Sequence, residues 1–150
     1  MKNTKRIAIS FTLMVLGVAL GACARLPRDK PIAADLIQPP AGFAGELPCA
    51  DCAGIRTELD LRANGSWFMR STYLGKGDGA THEALGSFAL ATDTDRLVLR
   101  GDREPPRMFR VVDAETIRLL DRDGNEIGST LDYQLRRVEP YRALKIVTSE

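Results

Sequence analysis

The chain has 150 residues, with 21 Lys or Arg against 20 Asp or Glu, one histidine and three cysteines. That length fits one domain, and a formal charge of +1 supplies no basic stripe for nucleic acid. A lone His82 excludes a multi-histidine metal site, and Cys23, Cys49 and Cys52 are too few for a disulfide scaffold and odd for pairing.

Lys2, Lys5 and Arg6 open the chain without a compensating acid, and residues 7–20 are almost wholly apolar. Such a run suits a signal-peptide core and is short for a membrane-spanning helix, which needs about 20 residues. Leu20-Gly21-Ala22-Cys23 follows and resembles the lipobox of bacterial lipoproteins. The resemblance implies cleavage before Cys23, a diacylglyceryl group on its sulfur and acylation of the new amine. Several acyl chains on one residue anchor durably where one binds only marginally. The competing reading is an ordinary secretory peptide, or an uncleaved anchor, with a chance cysteine. Ala24, rather than Asp, after the cysteine points to the outer membrane, facing the periplasm. Removal of residues 1–22 takes away three basic side chains, leaving 128 residues and a formal charge of −2.

Residues 23–42 are expected to be the lipidated cysteine and a semi-extended linker, because Pro27, Pro31, Pro39 and Pro40 fall there and no period survives. From Phe43 the period becomes two. Ile55, Thr57, Leu59 and Leu61 alternate with Arg56, Glu58, Asp60 and Arg62, the pattern of a strand with one buried face. Asn64-Gly65 signals a hairpin, and residues 67–74 form the return strand. Gly75-Lys76-Gly77-Asp78-Gly79 reads as a loop. Short strands are expected over 81–91, 96–100, 107–112 and 116–120. Asp123-Gly124 marks a further turn, and Leu131, Tyr133 and Leu135 alternate with polar residues. The fold class is therefore all-β: an antiparallel meander over residues 43–138, closed into a small barrel that leaves no exposed edges, with 139–150 as a tail. A two-sheet sandwich is the competing architecture, and no helix is expected after residue 22.

Chemistry concentrates in Leu47-Pro48-Cys49-Ala50-Asp51-Cys52-Ala53-Gly54. A CxxC pair can close a disulfide, cycle between thiol and disulfide, or hold a soft metal. Redox catalysis normally sets the first cysteine at a helix N-terminus, which lowers its pKa, and here a strand follows instead. A closed zinc site wants four N or S ligands, which the chain lacks. Cu(I) is satisfied by two thiolates, with Met69, Met108 or His82 as optional additions. The residues alone leave a structural disulfide first and a copper site second.

The remaining candidates have plainer readings. Trp67, Phe68 and Tyr73 can line a ligand mouth but more often fill a small β core. His82 reads as a surface or packing residue before a ligand or pH switch. Glu58 and Asp60 fall on the expected wet face, and Asp51 reads as a turn residue. Arg100, Arg103, Arg107, Arg110, Arg136 and Arg137 are interleaved with acids and read as edge protection.

The stretch from Gly45 through Leu47-Pro48-Cys49-Ala50-Asp51-Cys52 to Ile55, followed by Thr57 and Leu59-Asp60-Leu61, resembles the signature of the NlpE (CutF) family of outer-membrane lipoproteins. Asn64-Gly65, Tyr73-Leu74-Gly75, Glu83, Gly86-Ser87-Phe88, Leu119-Leu120-Asp121, Asp123-Gly124-Asn125-Glu126-Ile127 and Leu131-Asp132-Tyr133-Gln134-Leu135 extend the likeness. It implies a lipocalin-like barrel, a role in copper homeostasis or resistance, and signalling of envelope stress to a sensor kinase. It places the family's proposed copper-binding CxxC on Cys49 and Cys52. Longer members carry a second, OB-like domain. Only Val138 to Glu150 follow the last expected strand, so that domain is expected to be missing. The expected function is non-enzymatic. The alternative is a periplasmic carrier holding a lipid or small apolar ligand inside the barrel, and a thiol–disulfide enzyme is the outsider.

Overall fold

The computed structural model describes residues 32–75, 79–102 and 104–140. The signal segment, Cys23 and the tail beyond residue 140 lie outside them. Eight antiparallel strands form a closed barrel in sequence order: β1 (Ala41–Leu47), β2 (Gly54–Leu61), β3 (Ser66–Leu74), β4 (Thr81–Leu90), β5 (Arg96–Gly101), β6 (Arg107–Asp113), β7 (Thr116–Leu119) and β8 (Gln134–Val138). The last strand returns to the first, Phe43 lying opposite Arg137. Closure leaves neither β1 nor β8 as a full sheet edge, and the meander expected from the alternation is the observed topology.

Alternation decides which side chains enter. On β2, Thr57, Leu59 and Leu61 are at most 1% exposed, and they meet Ser71, Met69 and Trp67 of β3. Phe43, Leu97, Leu99, Phe109, Val111, Ile117 and Leu135 complete a core in which each is 1% exposed or less. Side chains fill the middle of the barrel, as an eight-stranded closure permits. The middle of the barrel is therefore occupied by the protein itself.

The outer face carries charge across strands. Glu58, Arg70 and Glu83 sit opposite one another on β2, β3 and β4, and Arg70 pairs with Glu83 at 3.0 Å. Phe68 belongs to this outer face rather than to a mouth, with Arg62 and Arg70 guanidinium carbons 5.9 and 6.0 Å from its ring centre. Asp60 departs from the expectation of a wet face and is 6% exposed, with Gly42 and Phe68 as its cross-strand neighbours.

Turns follow local chemistry. Gly65 has φ +81°, and Asn64 Oδ1 accepts from the Ser66 N–H at 3.1 Å and hydroxyl at 2.7 Å, closing the Asn-Gly hairpin. After Gly101, the Pro105-Pro106 pair has no N–H to give to a ladder, so β5 ends and the chain restarts as β6 at Arg107.

Two boundaries differ from the sequence expectation. The linker was expected to run to Gly42, yet a single helical turn, α1 (Ala33–Leu36), precedes β1, and β1 begins at Ala41. Ile32, Ala33 and Ile37 are buried against the barrel, and Ala33 and Ala34 N–H groups bond to Thr94 and Ala91 carbonyls. A four-residue helix is too short to show a period, so only packing holds it. The last strand starts at Gln134, not Leu131. Leu131 is 56% exposed, and Asp132 caps the Gln134 N–H at 2.9 Å instead of pairing in the sheet.

Candidate functional site

Leu47 ends β1 with its side chain in the core, Pro48 breaks the ladder, and Gly54 begins β2. Between them, Cys49-Ala50-Asp51-Cys52-Ala53 arches over one end of the barrel. The Glu46 side chain lies over Gly54, in the space a Cβ would take. The loop is tied down at its far side by the Ala53 N–H, which donates to the Leu74 carbonyl at 2.9 Å.

Cys49 and Cys52 form a disulfide with their Cα atoms 5.3 Å apart, a spacing suited to the bond. Both are half-buried, while Ala50 and Asp51 are exposed. Asp51 Oδ1 lies 3.5 Å from Cys49 Sγ, and the Gly54 carbonyl lies 3.3 Å from Cys52 Sγ. A sulfur in a disulfide has no proton to donate, so these are packing contacts that become S–H hydrogen bonds only after reduction. The ligand atoms of Cys49, Asp51 and Cys52 all fall within 4.8 Å of one another, the one such cluster of His, Cys, Asp or Glu among the described residues. Beside it runs a cleft of 280 Å3 lined by Leu47, Pro48, Cys49, Leu131 and Asp132.

The optional ligands do not join this cluster. Met69 is 2% exposed inside the barrel, its sulfur accepting from Arg107 at 3.4 Å. Met108 packs over the Gly124 turn. His82 sits on the inward face of β4 beside Ser71, with Nε2 3.5 Å from Glu104. Donor chemistry therefore reduces to two sulfurs and one carboxylate. That set fits a soft ion such as Cu(I) once both cysteines are thiolates, and does not fit it while they are joined to each other.

Residues 43–130 match the family model described as the NlpE N-terminal domain. The chain belongs to the NlpE family. It is 35% identical over 108 residues to lipoprotein NlpE of Escherichia coli K12, an alignment covering 71% of this chain and 44% of that protein. The chain thus spans less than half the length of that NlpE. The crystal structure of E. coli NlpE, a Cpx pathway activator, matches with a TM-score of 0.53 and 36% identity, covering 63% of this chain and 48% of the other. A crystal structure of a lipoprotein from Shewanella oneidensis, itself described only as putative, matches with a TM-score of 0.59 and 30% identity. That alignment covers 71% of this chain and 94% of the other, so a chain of nearly one-domain extent has a structural counterpart. Both the family and the closed all-β barrel expected from the sequence agree with these relatives.

Sequence reasoning missed a second constellation, at the junction of β4 and β5. Trp67 Nε1 donates to the carbonyls of Ser87 at 3.0 Å and Arg100 at 3.2 Å. Gly86 makes room for this, since a Cβ there would strike the Arg100 carbonyl and crowd the indole nitrogen at 2.9 Å. Beyond that point the strands part over a cavity of 430 Å3, with Trp67, Ala84 and Leu99 in its wall and His82, Asp102, Glu104 and Arg107 at its rim. Gly86-Ser87-Phe88 was the available signal, but a glycine within a strand does not reveal which side chain fills the gap.

Proposed function

We propose that the chain is a lipid-anchored lipoprotein of the outer membrane's periplasmic face that reports copper or envelope stress through its Cys49–Cys52 loop. Membership of the NlpE family supports this reading, as does the role of the E. coli relative as a Cpx pathway activator. The observation that carries the site assignment is the meeting of Cys49, Asp51 and Cys52 within 4.8 Å on an accessible loop. The loop lies at the end of the barrel opposite α1, where the described residues begin. An anchored barrel of this design holds the cysteines away from the membrane, where a soluble reductant, a metal ion or the ectodomain of a sensor kinase reaches them.

The chemistry is two-state. A dithiol reductant supplies two electrons and two protons, the Cys49–Cys52 bond breaks, and the reductant becomes a disulfide. The freed thiols lose protons on binding Cu(I), which takes two thiolates at low coordination number. Cys49 and Cys52 would hold the ion, with the Asp51 carboxylate alongside. The role requires binding and release rather than turnover, so the proposed function is non-enzymatic.

A competition titration tests this. Reduced mature protein, challenged with a Cu(I) chelator, is expected to retain one Cu(I) per chain. Oxidised protein and a Cys49→Ser, Cys52→Ser double variant are expected to retain none. Unchanged stoichiometry in the double variant overturns the site.

A further inference from the structure

The place where the ladder fails is the parting of β4 from β5. Their register ends with Gly86 opposite Gly101, whereas β4 continues outward to Thr81 and stays paired with β3 through Thr72. Residues 81–84 therefore have a strand neighbour on one side only among the described residues. Tyr73 N–H donates to the Ala80 carbonyl at 2.9 Å, which makes them a hydrogen-bonded pair. The alternation of an antiparallel ladder then turns the N–H and C=O groups of Thr81 and Glu83 toward the missing neighbour. The opening has a local cause. Gly86 and Trp67 fix where the strands separate, and Pro105-Pro106 cannot supply ladder donors.

This free edge borders the 430 Å3 cavity, whose wall includes Trp67, Ala84 and Leu99. On the outer side Glu83 is 52% exposed by side chain and Leu85 is 67% exposed, the most exposed large apolar residue described. Asp102 is exposed at the end of the gap and has no ion pair with a described residue. Of the nearby described cations, Arg70 and Arg107 already face Glu83 and Glu104 at 3.0 Å, and Arg100 is exposed on β5 opposite Ser87, below the gap.

We propose that the β4 edge at Thr81–Ala84, with the cavity beside it, binds an extended peptide of alternating basic and apolar residues by strand addition. Main-chain bonds to Thr81 and Glu83 supply the affinity common to this mode, and a pocket under alternate side chains supplies selectivity. Inward side chains of the added strand enter the cavity over Ala84 and Leu99. Outward ones lie opposite Glu83 and next to Asp102, where a Lys or Arg is the favourable cross-strand partner and its aliphatic stem covers Leu85. A second copy of this chain is the weaker occupant. Antiparallel pairing of two such edges about His82 sets Thr81 against Glu83, and pairing about Glu83 sets Glu83 against itself, so neither register brings a cation opposite Glu83.

The probe is an acetylated, fluorescein-labelled heptapeptide alternating lysine and valine, titrated into mature protein at low salt and followed by anisotropy. Binding is expected to slow amide hydrogen exchange at Thr81 and Glu83. Affinity is expected to fall at least tenfold when glutamate replaces lysine in the peptide. It should fall as much when the peptide amides facing β4 are N-methylated, which removes the ladder donors without touching the protein. Asp102→Lys is expected to weaken binding several-fold with an unchanged unfolding midpoint. The proposal is overturned by absent binding, by affinity indifferent to N-methylation, or by protection that falls elsewhere. A dimer that protects the same two amides without peptide assigns the edge to a second copy instead.

Discussion

At the α1 end of the barrel, Ile37 and Ala33 are 1% and 0% exposed, and Arg137 lies 5.8 Å over the Phe43 ring while bonding the Ala114 carbonyl. At the opposite end stand a disulfide-closed loop, a gap between β4 and β5, and a long β7–β8 connection held by ion pairs. One end is sealed by apolar packing; the other is held by covalent and polar ties and leaves main chain and sulfur accessible. The difference locates stability and chemistry at separate poles, so a reactive loop can change state without loosening the core.

If that division is real, the largest effect should come from the sealed end. Ile37→Ala removes a fully buried side chain and is expected to lower unfolding free energy by about 2–4 kcal/mol in urea titration. A loss below about 1 kcal/mol would mean that α1 is an appendage. The Cys49→Ser, Cys52→Ser pair should cost less. Its loop is so short that the chain-entropy relation gives about 2 kcal/mol or under. A double variant as destabilised as Ile37→Ala would erase the contrast and make the disulfide a structural staple first.

The legible parts of this molecule were those with a local cause. Alternation at Ile55, Thr57, Leu59 and Leu61 announced an inward strand face, and Asn64-Gly65 announced its hairpin. The spacing of Cys49 and Cys52 in a β context, with no helix to follow the first cysteine, already ranks the thioredoxin reading last. The parts that escaped depend on distant neighbours. Ile32, Ala33 and Ile37 look like stray apolar residues among prolines until the β4–β5 turn is folded beside them. Asp60 is buried to 6% exposure between Gly42 and Phe68, neighbours that lie far from it in sequence. Trp67 reads as one more core aromatic, yet its indole N–H spans to carbonyls 20 and 33 residues away. Leu131 and Tyr133 keep the strand period, but only the Tyr133 carbonyl reaches β7, accepting from the Leu119 N–H at 2.9 Å, while the Leu131 N–H turns to the Ser129 hydroxyl, so period alone overextended β8.

The smallest expected effect lies in the polar end's long connection. Arg110 and Arg118 each approach Glu126 at 2.9 Å, although neither Nε–H is aligned for a hydrogen bond with it. Leu120 bridges to Glu126, and Asp121 organises the turn between them. Its carboxylate accepts from the Asn125 N–H at 2.7 Å and the Asp123 N–H at 2.9 Å. The Asn125 backbone bond chiefly holds its pKa below the ordinary 3.8, with a partial offset from desolvation. A carboxylate depressed in the folded state contributes stability above its unfolded pKa and loses it as pH falls through the folded value. NMR titration should therefore find Asp121 still ionised where free aspartate is half protonated. Asp121→Asn keeps an acceptor oxygen but removes the charge, and should lower the neutral-pH unfolding midpoint slightly, the difference from the parent vanishing as pH falls through the folded pKa of Asp121. A titration midpoint at or above the ordinary value would show that the turn is held by its glycine and the Glu126 pairs rather than by this carboxylate.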